Sequence, residues 1–112
     1  NFDSGDPSFS VKIPVGVGYS SDLDEVEKVT KKVINEIQSS MEETNNNYEP
    51  TMRFQNFGES SINLMVYFRG NRYGDQNPII HQFIKTLHKR YSEAGIEIPF
   101  PMRTVIHKNE QK

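Results

Sequence analysis

The stretch Phe9–Asp22, FSVKIPVGVGYSSD, joins the pattern of a β-strand directly to the start of a helix. Every second residue from Phe9 to Tyr19 is apolar, and the residues between them are small or polar. This period of two predicts a strand with one buried face. Pro14 has no N–H to donate, so we expect the strand at a sheet edge or at an irregular position.

The residues that follow predict an amphipathic helix from Asp22 to Met41. Asp22 and Glu25 have the spacing of a capping box, and acidic residues in the first turn suit the helix dipole. Apolar residues recur at spacings of three and four, which predicts one buried stripe. The stripe comprises Leu23, Val26, Val29, Val33, Ile34, Ile37 and Met41.

A polar loop at 42–50 precedes two further strand candidates, Thr51–Phe57 and Ser61–Phe68, which are expected to form a hairpin. Asn77 and Pro78 then predict a second helix, with the asparagine as its cap and the proline at its first position. The predicted buried stripe of this helix comprises Ile80, Phe83, Ile84, Leu87, Tyr91 and Ala94.

The end of the second helix is predicted at Gly95, because glycine readily adopts the left-handed conformation that ends helices. The next residues favour a fourth strand, in which Ile96, Ile98 and Phe100 close the sheet. Pro99 and Pro101 then end that strand, because neither can donate a ladder hydrogen bond. The predicted fold is therefore α+β, a ferredoxin-like βαββαβ sandwich with an extra C-terminal strand at 102–106.

Composition limits the function further. The chain has 112 residues, a formal net charge of -2 and no cysteine. One domain is expected, and the charge makes nucleic acid a poor partner. Disulfides, thiolate metal sites and catalytic thiols are excluded. The longest apolar run, Leu64–Phe68, is far shorter than the ~20 residues of a membrane-spanning helix, so this piece is predicted to be soluble. Because the chain begins with Asn1 and not Met, we expect it to come from a longer protein.

Several motifs have partial features of chemical sites, and none predicts an enzyme, a cofactor or a metal. The loop GVGYSS at 16–21 follows a strand and opens a helix, but Ser21 replaces the third glycine of a dinucleotide fingerprint. His81 and His88 lie about 10 Å apart on a helix, too far for one metal ion. The βαββαβ order also fits RNA-recognition modules, yet the third strand lacks their glycine and aromatic core.

Three segments together resemble the C-terminal cytoplasmic region of small-conductance mechanosensitive channels. They are GDPS at 5–8 followed by IPVGVGYSSD at 13–22, FGESSINL at 57–64, and AGIEIPFP at 94–101. The last is the most distinctive, and the resemblance extends from Asn1 to about Val105.

The resemblance implies a channel in the cell membrane that opens under bilayer tension during hypo-osmotic shock. Family members are rings of seven identical subunits, whose cytoplasmic parts form a vestibule that filters solutes. This chain would contribute the end of a preceding β-domain or linker (1–8), the αβ domain (9–101), and a barrel strand with a polar tail (102–112). Membrane contact would come only from missing upstream segments.

The barrel strand that joins neighbouring subunits in the family matches Met102, Arg103, Thr104, Val105 and Ile106. Met102 departs from the family pattern, in which Gln often follows the proline. A lone strand outside the sheet also has unpaired peptide groups, and symmetric copies of the strand can pair with them.

An alternative hypothesis is a free-standing ferredoxin-like module that binds a small ligand and acts as a regulatory oligomer. Membrane-spanning segments encoded upstream of Asn1 would favour the channel over this alternative.

Overall fold

The computed structural model describes residues 9–99, which form five elements in the order β-α-β-β-α. The strands are β1 (Phe9–Val17), β2 (Thr51–Phe57) and β3 (Ile62–Gly70), and the helices are α1 (Leu23–Ser40) and α2 (Gln76–Ala94). The predicted α+β class and ferredoxin-like arrangement are confirmed. Residues 1–8 and 100–112, including the predicted strand at 102–106, lie outside the described residues.

The central strand of the antiparallel sheet is β3, and the strand order is β1-β3-β2. Phe9 of β1 lies opposite Gly70 and Val17 opposite Ile62, without a register shift between them. On the other side of β3, a shift in register between Phe54 and Asn56 interrupts the pairing with β2. Every second residue of β3 is buried, because pairing on both sides holds its apolar face against the helices.

The core lies between this sheet and the two helices, which pack against one of its faces. Phe68 of β3 contacts Phe83 of α2 edge to face, with ring centroids 5.5 Å apart. Helix α1 begins as predicted, because Asp22 Oδ1 accepts hydrogen bonds from the N–H groups of Asp24 and Glu25. The buried apolar residues are Val11, Ile13, Val17, Val26, Val33, Ile34, Ile37, Met52, Ile62, Leu64, Val66, Phe68, Ile79, Phe83, Leu87 and Tyr91.

The start of α2 differs from the prediction. The helix begins at Gln76, so Asn77 is not its cap. Asp75 precedes it and makes no side-chain capping bond; its Oδ2 accepts instead from the N–H of Arg72 at 2.8 Å, in a turn that includes Gly74 at φ 97°. Pro78 fits within the first turn, because N–H groups there have no intrahelical partner.

The fourth strand expected at Ile96–Phe100 is absent from the ladder of the described residues, which ends at Pro99. One backbone bond joins this segment to the sheet region, from the N–H of Gly18 to the carbonyl of Glu97 at 2.9 Å. Pro99, two residues further on, has no N–H with which to continue a ladder. The segment therefore contacts β1 without forming a regular strand.

Candidate interaction surface

The turn after α2 directs the C-terminal segment back towards β1. Gly95 has φ 75° and ψ 21°, the left-handed conformation predicted for it. Its N–H donates to the carbonyls of Tyr91 and Ser92, and the N–H of Ile96 donates to Tyr91 at 2.9 Å. These bonds satisfy carbonyls that the end of the helix would leave unpaired. Ile96 then packs, half-buried, against the core.

The outer edge of β1 is open within the described residues, because β1 is a terminal strand of the sheet there. Gly18 points its N–H outward to Glu97. Peptide groups of alternate residues point to the same edge of a strand, so the outward groups in β1 belong to Ser10, Lys12, Pro14 and Gly16. The nitrogen of Pro14, which carries no hydrogen, therefore faces the open edge. The sequence predicted this strand to lie at an edge.

An apolar groove runs beside this edge, between β1 and α2, and is called the β1–α2 groove below. It encloses about 250 Å³. Ile84 on the helix side is 53% exposed, and Ile98 at the end of the groove is 46% exposed. Exposed apolar side chains in a concave surface are typical of sites that another segment covers. The lining residues are Ile13, Pro14, Val15, Gly16, Phe83, Ile84, Leu87, His88 and Ile98.

Of the residues predicted to close and end the sheet, the structure brings Ile98 and the β1 edge together. Gly95 and Ile96 lie at the preceding turn. Phe100 and Pro101 lie outside the described residues, as do Met102 to Ile106. Their predicted roles remain predictions.

The start of α1, which follows the glycine-containing loop, is lined by acidic groups. Asp22, Glu25 and Glu97 border a cavity of about 240 Å³ there, together with Ser20 and Ser21. Asp22 also occupies the first free N–H groups of the helix. Carboxylates in this position repel phosphate, so the geometry favours a structural turn over a nucleotide site.

An ion-pair network joins the two helices on the side away from the sheet. Arg90 donates from Nη2 to Glu36 Oε2 at 2.6 Å and from Nε to Glu36 Oε1 at 3.3 Å. A third bond joins Arg90 Nη1 to Glu93 Oε1 at 3.2 Å. The hydrogen bonds from Arg90 hold the pKa of Glu36 below its ordinary value. This network is a solvent-exposed contact between the two helices, outside the apolar core.

His81 and His88 are exposed on α2, and their predicted separation on one helix is retained. No group of three or more histidine or acidic side chains within residues 9–99 is arranged to hold a metal ion.

The sheet face opposite the helices is mixed, with hydrogen-bonded amide side chains beside Met65 and Tyr67. Asn63 Nδ2 donates to Asn56 Oδ1 at 3.2 Å, and Gln55 donates to the hydroxyl of Tyr67 at 3.2 Å. The central strand presents one aromatic side chain on this face, Tyr67, and its hydroxyl is bonded to Gln55, whereas an RNA-recognition sheet stacks bases on two or more aromatics.

Sequence reasoning missed the exposed aromatic pairs, of which Tyr19 with Phe57 joins the end of β1 to the β2–β3 hairpin. Tyr19 and Phe57 stack with ring centroids 6.3 Å apart, and the Tyr19 hydroxyl donates to the carbonyl of Gly58. Tyr19 continued the apolar alternation of β1, and no spacing rule connects it to a hairpin 38 residues later in the chain.

None of the helices in the described part of the chain has the length and apolar character to cross a bilayer.

Among curated proteins, the chain is 30% identical over 96 residues to an uncharacterized MscS family protein of Archaeoglobus fulgidus. It is 28% identical over 109 residues to another from Synechocystis. These alignments cover 86% and 90% of this chain but 32% of each relative. The chain thus spans about a third of the length of these relatives.

The fold is similar to that of a solved structure, Helicobacter pylori MscS in its closed state. The TM-score is 0.68 at 23% identity, over 93% of this chain and 40% of that one. A family model described as "Mechanosensitive ion channel MscS, C-terminal" matches residues 11–98. That range contains every buried core residue of the described structure, from Val11 to Tyr91. The chain therefore belongs to the MscS family of mechanosensitive ion channels and carries its C-terminal domain.

Proposed function

We propose that this chain is the cytoplasmic part of a channel that opens when tension rises in the cell membrane during hypo-osmotic shock. The family is one of ion channels and not of enzymes. The family match over residues 11–98 is the observation that carries the proposal. In this proposal the pore and the tension sensor belong to other parts of the full-length protein, and this domain forms part of a vestibule that filters solutes.

Assembly into a ring, sevenfold as the resemblance implies, is the second part of the proposal. The open edge of β1 and the exposed groove beside it support an assembling role, because such surfaces are normally covered. Contacts between subunits are assigned to the strand at 102–106, which follows the αβ domain at 9–101. In that domain Gly95 and Ile96 turn the chain back towards β1, and Pro99 with Pro101 separates the two parts.

The test uses the full-length protein in bacterial cells that lack their own mechanosensitive channels. We expect higher survival after a sudden drop in osmolarity than with the empty vector, and a conductance in membrane patches that appears under suction. Light scattering of the detergent-purified protein should give a mass of several subunits. A monomer, or patches that never respond to suction, would contradict the proposal.

A further inference from the structure

We propose that the β1–α2 groove of one subunit receives the exposed aromatic pair, Tyr19 and Phe57, of a second copy of this chain. The contact is head to tail, because each subunit offers the pair on one side and the groove on another. This inference rests on the proposed assembly into a ring. Its evidence is the exposure, the position and the charge of the two surfaces.

The aromatic pair lies at one end of the sheet and is open to solvent. Phe57 is 75% exposed and Tyr19 is 49% exposed, although their rings stack on each other. The hydroxyl of Tyr19 donates to the carbonyl of Gly58, so the pair is fastened to the β2–β3 turn. Such an ordered pair suits an interface, because aromatic side chains are enriched among the residues that dominate binding.

The groove lies at the other edge of the sheet. Phe57 ends β2, whereas the groove borders β1, and these are the two terminal strands of the sheet in the described residues. One chain therefore keeps its Phe57 away from its own groove. Two different surfaces on identical subunits join head to tail, and such contacts close into a ring when the rotation between neighbours allows it.

The pair and the groove match in size and polarity. The groove encloses about 250 Å³ and is lined mainly by apolar side chains, so it has room for one aromatic ring. Aromatic side chains bury about 150–250 Å² each when they are covered. Insertion of Phe57 between the exposed Ile84 and Ile98 covers apolar surface on both subunits at once.

Acidic residues surround the aromatic pair. Three segments meet there, 18–25, 57–61 and 95–97, and the hydrogen bonds of Gly18 and Tyr19 join them. Each charged residue in these segments is an aspartate or a glutamate. The exposed aromatic surface is therefore framed by negative charge.

Basic residues, in contrast, accompany the groove on α2. Residues 76–90 of this helix include no aspartate or glutamate. Lys85 is exposed next to Ile84, and His88 borders the groove itself. Like charges across an interface are unfavourable, so this arrangement favours the pair against the groove over either surface against its own copy.

Cross-linking of cysteine variants tests the contact in the full-length protein, with any cysteine outside this cysteine-free chain replaced first. With Phe57→Cys and Ile84→Cys in the same chain, a short bismaleimide should link successive subunits into a ladder of dimers, trimers and larger species. Either variant alone should give no link, because identical residues do not meet in a head-to-tail contact. Co-expression of the two single variants should give links that stop at dimers.

The matched control replaces Phe57 with another exposed aromatic residue as the site of the first cysteine. Tyr73 is 81% exposed and contacts Phe9, at the opposite end of β1 from Tyr19. Tyr73→Cys with Ile84→Cys should therefore give no ladder.

A charge reversal tests the second part of the match. In the chain with Phe57→Cys and Ile84→Cys, Lys85→Glu should lower the ladder yield several-fold, because it sets an acid against the acidic residues around the pair. Arg72→Glu makes the same charge change at an exposed position outside both surfaces and should leave the yield unchanged. Equal yields in these two variants would overturn the match of charges on which the contact depends.

Rings that give no ladder, or links in either single variant, would overturn the contact and leave the ring proposal standing. A link within one chain, seen by mass spectrometry as a monomer carrying one bridging linker, would also overturn it. If Ile84→Cys in the ring resists a simple maleimide and forms no ladder, another segment covers the groove and the contact is wrong. The ring proposal fails separately if light scattering shows that the full-length protein is a monomer.

Discussion

At the scale of single residues, the hydroxyl of Thr30 is a polar group within the core. It donates to the carbonyl of Val26 at 2.6 Å and lies 2.6 Å from the hydroxyl of Tyr91. Because the single proton of Thr30 goes to Val26, Tyr91 is the donor in the second bond. Both side chains are at most 1% exposed. The Tyr91 hydroxyl thus depends on Thr30 as its acceptor. The Thr30 hydroxyl, in contrast, still donates to Val26 when Tyr91 is replaced.

This dependence predicts that two conservative substitutions lower the free energy of unfolding by different amounts. Thr30→Val leaves the buried Tyr91 hydroxyl without an acceptor and should lower the free energy of unfolding by about 1–3 kcal/mol. Tyr91→Phe leaves Thr30 bonded to Val26 and should cost about 0.5–1.5 kcal/mol. The double variant should be more stable than Thr30→Val alone, because it removes both polar groups. Urea unfolding of the three variants checks this order, and a double variant less stable than Thr30→Val would contradict it.

A second prediction at this scale concerns acid stability. The hydrogen bonds from Arg90 lower the pKa of Glu36 in the folded protein relative to the unfolded chain. A lowered pKa stabilises the fold above the unfolded value, about 4.3 for Glu, and this contribution is lost as the pH falls through the folded pKa. The thermal midpoint of Glu36→Gln should therefore lie below that of the parent at pH 7 and approach it below about pH 4.

The control for this prediction is Glu27→Gln. Glu27 Oε2 lies 2.9 Å from Lys31 Nζ in an exposed pair within one helix. Surface pairs of this kind contribute about 0–1 kcal/mol, so this variant should change the midpoint little at either pH. A constant difference between Glu36→Gln and the parent from pH 7 to pH 3 would show that Glu36 acts by packing rather than by charge.

At the scale of secondary-structure elements, the left-handed turn at Gly95 sets where the C-terminal segment goes. A Cβ added there would meet no atom within 4 Å, so the cost of Gly95→Ala comes from its φ of 75° alone. We expect a loss of about 1–2 kcal/mol in the free energy of unfolding. Gly95→Asn should cost less, because asparagine tolerates this conformation.

Gly18→Ala serves as the matched control for the turn. Its added Cβ would meet Glu97 at an ordinary 3.8 Å. We therefore expect a change within about 0.5 kcal/mol. Equal losses for Gly18→Ala and Gly95→Ala in urea unfolding would mean that the left-handed conformation is not the cause.

The elements show why some predictions from sequence succeeded. The strict alternation in β1 predicted a strand with one buried face, and Pro14 predicted an edge, because each depends only on local geometry. The helix α1 had one apolar stripe and an evident cap at Asp22, and both are confirmed. Thr30 is a buried exception that no hydropathy pattern predicts, because its partner Tyr91 lies 61 residues away.

Helix α2 shows where such patterns fail. Ile79 with Ile80 and Phe83 with Ile84 form two adjacent apolar pairs, so the sequence fits two stripes rotated by one residue. The predicted stripe included Ile84, whereas Ile79 is fully buried and Ile84 is 53% exposed. The packing of α2 against the sheet decides which of the two stripes is buried. The β1–α2 groove was therefore not predictable, because it depends on that exposed isoleucine.

At the scale of the whole molecule, the proposed function implies that folding and assembly use different parts of the chain. Every buried apolar residue in the described structure lies between Val11 and Tyr91. The ring strand proposed at 102–106 comes after this core and after two prolines. A domain with this division would fold first and then pair its terminal segment with neighbouring copies.

Deletion of residues 102–112 tests this division of labour. The shortened chain should keep its far-UV circular dichroism and lose no more than about 1 kcal/mol of unfolding free energy, because no described core residue is removed. In the full-length protein the same deletion should reduce the fraction of complete rings measured by light scattering in detergent. The control deletion, residues 108–112, removes only the polar tail and should leave both readouts unchanged. An unfolded 1–101 chain, or rings that form equally well without the strand, would show that folding and assembly are not separated at the two prolines.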